Sequence, residues 1–422
     1  MRFRIRTLEP QPRRGKGTVL AWLAPVCLAL SWGCWWWPWC RPAAAAPAGE
    51  PALGPGSGGA AGLSYTNHQV AEVPWSIHVV RWPRTNSAFA IYSAHAGRGA
   101  LGLATLSSQI GHCSAAWGLP VAGVNGDFYQ RDRAYAGDPR GLQIIEGQLI
   151  SGPVGNSASF WVDGEGQPYV GNVTSRFQVT WPSGLGTTFG LNEDRSAEAA
   201  VLYTPALGAS THTAGGRELV LEPVEGRPWL PLRAAAQIEA RVREVREGGD
   251  TSIPRGGLVL SVGPRLAARV SKVEVGAVLL LSTAASVNLG GAHAAISGGP
   301  VLVRNGKVQR VDSREAESYQ FSSMQERHPR TAIGWNREHF FLVQVDGRQK
   351  SLSVGMTLKE LAAYLLRLGC QEALNLDGGG SATLWYAGRV RNRPCDGRER
   401  EIANSLVVLY RERSAVEQEG SR

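Results

Sequence analysis

The sequence predicts an α+β fold: a strand-rich, mixed core in a single catalytic domain, with a few helices packed against it. Three observations carry that expectation. Short Val-, Ile- and Trp-rich runs alternate with turn signals over most of the chain. The 52 glycines among 422 residues supply many tight turns. Only two segments show a clean helical period.

The ordered part is expected to begin near Tyr65. Strands are predicted at Ile77 to Arg81, Phe89 to Tyr92, Val121 to Val124, Gln143 to Ile150, Phe160 to Val162 and Phe177 to Trp181, and again at Ala200 to Tyr203, Leu219 to Leu221 and Leu258 to Val262. Val278 to Ser282, Val301 to Val303, Phe340 to Val345, Thr383 to Tyr386 and Ser405 to Leu409 complete the set. Glu146-Gly147 and Asn305-Gly306 read as hairpin turns, and Asp346-Gly347 and Ala387-Gly388 look similar. One helix is predicted from Thr105 to Trp117, stopped by Gly118. The other opens on the Thr357/Glu360 capping box, carries a Leu358, Leu361, Ala362, Leu365, Leu368 stripe and stops at Gly369. Arg233 to Arg246 reads equally as a helix or a strand pair. Residues from about Arg176 to Arg255 lack chemical motifs and are expected to be a β-rich insertion within a domain spanning 64–412.

The flanks are of a different kind. Arg2, Arg4, Arg6, Arg13, Arg14 and Lys16 precede an uncharged run from Val19 to Trp39, followed by Ala-rich sequence. That order predicts a signal peptide or a membrane anchor over 1–40, with the domain on the extracytoplasmic side, periplasmic, secreted or anchored. Any membrane contact is expected through this segment alone, if it is uncleaved. Residues 41–63 read as an Ala/Gly/Pro linker and 413–422 as a disordered tail. The net charge of +9 does not argue for nucleic acid: residues 1–50 hold seven Lys/Arg against two Glu, so more than half of it belongs to the leader. Of the six cysteines, Cys113, Cys370 and Cys395 lie in the domain. Cys370 with Cys395 is the preferred pair, and no Cys/His spacing fits zinc.

The chemistry concentrates in four motifs. Asn375-Leu376-Asp377-Gly378-Gly379-Gly380-Ser381 places an acid at a strand end before glycines that let backbone N–H groups approach a ligand. Arg327-His328-Pro329-Arg330-Thr331 offers guanidinium forks suited to phosphate. Asn125-Gly126-Asp127-Phe128-Tyr129 sets a second strand-end acid beside aromatics that can stack on a sugar. Ser297-Gly298-Gly299-Pro300 allows a close backbone approach, although such a pair is often a bulge. Each predicted helix is followed by a strand ending in Asn-x-Asp, an echo that two units facing one cleft would produce. His95, His112, His212, His293 and His339 join no constellation, and Asp163, Asp250 and Asp312 sit in turn contexts.

Taken in order with Asn404-Ser405 downstream, these motifs resemble the phosphodiester glycosidase family. The resemblance implies hydrolysis of a sugar-1-phosphodiester of the N-acetylglucosamine-1-phosphate type in a glycan or envelope polymer, as in an exopolysaccharide-related bacterial branch. Asp127, Asp377, Arg330 and His328 are then the expected catalytic residues: the acids as an acid/base or nucleophile pair, Arg330 on the phosphate with His328 assisting. Asn125, Tyr129, Ser297, Gly298, Gly299, Thr331, Asn375, Gly378, Gly379, Gly380, Ser381 and Asn404 are the expected substrate-binding residues. No cofactor is expected. A divalent cation held by Asp127 and Asp377 is the variant of this reading, because acid and amide oxygens suit a hard metal. A non-catalytic polysaccharide-binding module and a metal-dependent phosphodiesterase are the alternatives.

Overall fold

The computed structural model describes residues 62–411 apart from 98–99, 132, 156, 226–228, 271 and 312–321. The expected leader, most of the linker, the tail and Asp312 lie outside the described residues. No described helix is long and apolar enough to cross a membrane.

Three sheets and a closed barrel make the fold. A seven-stranded sheet runs in the order Ser64–Val70, Trp75–Pro83, His339–Val345, Arg330–Trp335, Glu372–Asn375, Val301–Arg304, Lys307–Val308. Its neighbours are all antiparallel. A five-stranded sheet orders Arg389–Val390, Leu384–Tyr386, Leu119–Asn125, Asn404–Tyr410, Phe89–His95. A second orders Gln148–Ser151, Gln143–Ile145, Ala292–Gly298, Ala158–Asp163, Pro168–Asn172. Val80, Trp82, Ile333, Phe340 and Leu342 of the large sheet pack on Val124, Leu384 and Leu406 of one small sheet and on Phe160 and Ile296 of the other, forming a shared apolar core.

Helices close the outer faces. Thr105 caps α1 (Leu106–Gly111), whose Leu106 and Ile110 pack with Tyr92, Val407 and Leu409. The predicted Thr105 to Trp117 helix breaks at His112, and a separate 3-10 turn covers Ala115–Trp117, because Ser114 starts a new cap. The short α2 (Pro264–Ala267) follows a barrel strand. The capping box at Thr357 and Glu360 is formed at the start of α3 (Leu358–Arg367), whose apolar stripe seals the far face of the large sheet. The two Asn-x-Asp strands therefore lie in different sheets, each with its preceding helix on the outer side. Their ends meet between the layers.

Several expectations are corrected. The strand-rich core with few helices is as expected, but it is built of three sheets and a closed seven-stranded barrel, and the described α-helices have only six, four and ten residues. That barrel links Gly186–Leu191, Ala200–Tyr203, Leu258–Val262, Arg217–Pro223, Gln237–Glu247, Val278–Ser282 and Gln178–Thr180. It needs the two strands beyond Arg255, so the β-rich segment runs to Ser282. Arg233 to Arg246 contributes the long strand Gln237–Glu247, where alternate residues such as Ala240 and Val242 face the barrel core. Asp346-Gly347 is not a hairpin turn. After Val345 the chain enters a connection to α3, with Asp346 buried and Gly347 so close to Pro329 that a Cβ would lie 2.5 Å from its nitrogen. The three domain thiols are free. Cys370 is buried under Gly334 in the large sheet, and Cys395 instead bonds Asp396 at 3.5 Å.

Candidate active site

Backbone and side-chain bonds join the two sheets where their acidic strands end. Asn125 is fully buried and acts as the bracket: its Nδ2 donates to the Asp377 carbonyl at 2.7 Å, and its Oδ1 accepts from Thr331 Oγ1 at 2.7 Å and from the Thr383 N–H at 3.1 Å. The Asp377 N–H donates to the Gly126 carbonyl at 2.9 Å, which ties the two Asn-x-Asp segments directly. Asn404 Oδ1 accepts from the Asp127 N–H at 2.8 Å. On the far side, Asn375 Nδ2 donates to the Gly299 carbonyl and the Gly299 N–H to the Asn375 carbonyl, both at 2.7 Å. Gly298 permits that contact, since a Cβ there would lie 2.4 Å from the Asn375 carbonyl oxygen.

The pocket above this framework has a volume of about 270 Å³ and is lined by Phe128, Asn375, Asp377, the three glycines, His328 and four arginines: Arg140, Arg330, Arg348 and Arg400. Its glycine loop is shaped by crowding. Gly378 abuts the Pro329 carbonyl, Gly379 takes a φ of +60°, and a Cβ on Gly380 would strike the Arg400 guanidinium at 1.8 Å. The N–H groups of Gly378, Gly379 and Ser381 are engaged within the protein, by Asp377 Oδ1, the Pro329 carbonyl and the Gly378 carbonyl. Positive charge at the pocket therefore comes mainly from side chains.

The two carboxyls differ in environment. Asp377 is partly open to the pocket, yet the dense walls around its carboxyl push its pKa up to about 6, against the pull of the nearby Ser381 hydroxyl, the Gly378 N–H bond and the Arg400 and Arg131 charges. Asp127 is 3% exposed and lies behind the pocket wall. Burial holds its carboxyl well above the usual range; the Phe128 N–H and Arg140 oppose this and the Asp377 charge adds to it. Its Oδ2 is buried without a hydrogen-bond partner among the described residues. Burial raises both carboxyls, and a charge on Asp377 adds to the cost of one on Asp127 behind the wall.

Arg330 is buried at the pocket floor, donating Nε to the Met356 carbonyl and Nη2 to the Glu326 carbonyl, each at 2.8 Å. Burial, then the Arg348 charge, brings its pKa down to about 10, which leaves it cationic at neutral pH. His328 sits between Glu326, at 2.9 Å from its Nε2, and Arg348, whose Nε donates to its Nδ1 at 3.2 Å. Burial and the two arginines lower its pKa, so it is mostly neutral at pH 7.

Of the residues singled out in the sequence, Asp377, Asn375, Arg330, His328, Gly378, Gly379 and Gly380 meet at the pocket. Asn125, Thr331, Asn404 and Ser297 are fully buried behind it. Ser297 Oγ bonds Ser159 and accepts from the Leu142 N–H. Ser381 packs behind the glycine loop, and Tyr129 OH donates to the Glu401 carbonyl at 2.7 Å. Arg140, Arg348 and Arg400 carried no motif signal. Among the described residues no group of three or more His, Cys, Asp or Glu is arranged to hold a metal ion.

Fold and pocket define a strand-rich domain with paired carboxyls set against an arginine cluster. Residues 233–409 match the family model described as phosphodiester glycosidase. Bovine N-acetylglucosamine-1-phosphodiester alpha-N-acetylglucosaminidase (Bos taurus) is 36% identical over 109 residues, covering 24% of this chain and 20% of that protein. The SPbeta prophage-derived uncharacterized protein YomE of Bacillus subtilis (strain 168) is 32% identical over 121 residues, covering 28% and 18%. The chain thus spans about a fifth of the length of these curated relatives. A solved structure of a hypothetical protein from Synechocystis shares the fold, with a TM-score of 0.66 at 22% identity over 83% of this chain and 62% of that one.

Proposed function

We propose that this protein is an extracytoplasmic glycoside hydrolase that cleaves sugar-1-phosphodiesters of the N-acetylglucosamine-1-phosphate type in a glycan or envelope polymer. The observation that carries the reading is the pairing of Asp377 with four arginines around one pocket, with Asp127, whose carboxyl burial pushes well above the usual range, behind it. The family match and the bovine relative's printed activity support the substrate class, and the basic-then-apolar leader supports the location.

In such a substrate the anomeric carbon is joined to a phosphate oxygen, and the bond that breaks lies between them. Electrons pass to the phosphate, where Arg330, Arg348, Arg400 and Arg140 supply positive charge in a confined site. Little protonation of the leaving oxygen is needed. Asp377, ionised at neutral pH, takes a proton from the attacking water, or attacks the anomeric carbon itself to form a glycosyl ester that water then hydrolyses to free sugar and carboxylate. Burial behind the wall disfavours charge on Asp127, which limits the negative charge at the pair. No cofactor is assigned to these steps, so turnover is expected to survive EDTA; loss of turnover on chelation and its return with a divalent cation would reassign Asp127 and Asp377 as ligands.

The reading is tested with Arg330→Ala and Arg348→Ala on an N-acetylglucosamine-1-phosphodiester and on a neutral aryl glycoside of the same sugar. Both variants are expected to lose far more activity on the phosphodiester. Equal loss on both substrates would remove the arginines from phosphate binding.

A further inference from the structure

We infer that Asp346, buried against His78 two residues before the pocket's Arg348, is a positioning residue that fixes Arg348 where the substrate phosphate binds. The inference rests on the proposed phosphate-binding role of the pocket and adds a residue that does not touch it. Asp346 is 1% exposed and His78 5%, and His78 Nε2 lies 3.0 Å from Asp346 Oδ2. Tyr65 OH, 2.8 Å from His78 Nδ1, donates to that nitrogen when Nε2 carries the proton. The other carboxylate oxygen of Asp346 accepts from the Arg393 N–H at 3.0 Å, Asn392 Nδ2 at 3.2 Å and Gln344 Nε2 at 3.3 Å. Its carbonyl accepts from Ser353 Oγ, and its N–H donates to the Ser76 carbonyl. One side chain thus joins the second and third strands of the large sheet to the 392–393 loop.

What this anchor holds is an unfavourable backbone. Two residues on, Arg348 has a φ of +60°, a left-handed conformation that is unfavourable for a non-glycine residue and persists only where its surroundings enforce it. Gly347, pressed on Pro329, and Gln349, whose Nε2 donates to the Arg393 carbonyl at 2.9 Å, hold the turn on either side. The result sets the Arg348 guanidinium against Gly379 and His328 in the pocket wall. A strained arginine at a phosphate pocket, pinned by a buried acid two residues earlier, is accounted for if the strain aims the guanidinium.

The test measures binding of inorganic phosphate and of pyrophosphate to the full chain by calorimetry, independently of turnover. Asp346→Asn is expected to weaken binding about tenfold, roughly the worth of one charge-assisted contact. Arg348→Ala is expected to weaken it as much, and the double variant no further, since both changes remove one contact. Arg348→Gly is expected to lose the same affinity while melting no lower than the parent, because glycine relieves the backbone. Unchanged phosphate affinity in a folded Asp346→Asn variant, or additive losses in the double variant, would overturn the inference. Should Asp346→Asn not fold, Gln349→Ala takes its place, with an expected two- to threefold loss and with unchanged affinity as the contrary result. A parent chain that binds phosphate but releases no sugar would instead refute the proposed reaction and leave the positioning role standing.

Discussion

Asp377 carries the sharpest consequences at the scale of single residues. Its folded pKa of about 6 lies above the ordinary 3.8, so ionisation costs stability as pH rises through that interval and the cost is absent below it. Asp377→Asn is therefore expected to abolish turnover by about a thousandfold or more. It should also raise stability at pH 7 by at most about 3 kcal/mol, the linkage value of that shift before any screening at the partly open carboxyl. The gain should vanish near pH 3, as thermal melts across pH would show. In the parent, kcat/KM should fall tenfold per unit below pH 6 as Asp377 takes up a proton. A profile flat from pH 5 to 8 would remove Asp377 from the chemistry. Asp377, Asp127 and Arg330 were legible in the sequence because each sits at a strand end inside a recognisable run. Arg140, Arg348 and Arg400 were not, since a lone arginine in a turn-rich loop has no period or spacing to mark it. Nor could the sequence separate pocket from bracket: Asn125, Thr331 and Asn404 have side chains suited to a sugar, but burial commits them to holding the acids in place.

Among the elements, the two helix-strand-acid units do the positioning. Each helix seals the outer face of its own sheet, and the strand that follows delivers an acid to the seam. Asn125 is the stitch between them. Asn125→Ala would leave the Thr331 hydroxyl, the Thr383 N–H and the Asp377 carbonyl without partners in a dry interior, at a cost of about 3 kcal/mol or more. A denaturant midpoint lowered accordingly, with turnover lost even in the folded fraction, is the expected outcome; an unchanged midpoint would mean that the seam relaxes around the loss. The echo of Asn-x-Asp after each helix was visible in the sequence as a pattern. Which sheets the strands would join was not, because strand pairing across hundreds of residues leaves no local trace. The expected hairpin at Asp346-Gly347 shows the same limit: the residue types suit a tight turn, but a buried histidine far upstream recruits the aspartate into the core.

At the largest scale, the described residues are held together by shared cores. The barrel interior continues into Ile144, Leu149 and Ala295 of a small sheet and the adjoining Leu142, so the barrel has no core of its own to detach. Thermal unfolding is accordingly expected in one transition, with tryptophan fluorescence and far-UV circular dichroism superimposing; two separated transitions would make the barrel an independent unit. Barrel closure escaped the sequence because its strands read as ordinary short apolar runs, and its last two lie past the point where composition changes. The central claim, that this fold presents an arginine-bound phosphate and a carboxylate to opposite sides of an anomeric bond, is tested most directly by identifying the product. The full chain is incubated with an N-acetylglucosamine-1-phosphodiester, with and without EDTA, and the products are resolved by mass spectrometry. Free N-acetylglucosamine at equal yield in both is the result expected; N-acetylglucosamine-1-phosphate would place the cleavage on the other side of phosphorus and contradict it.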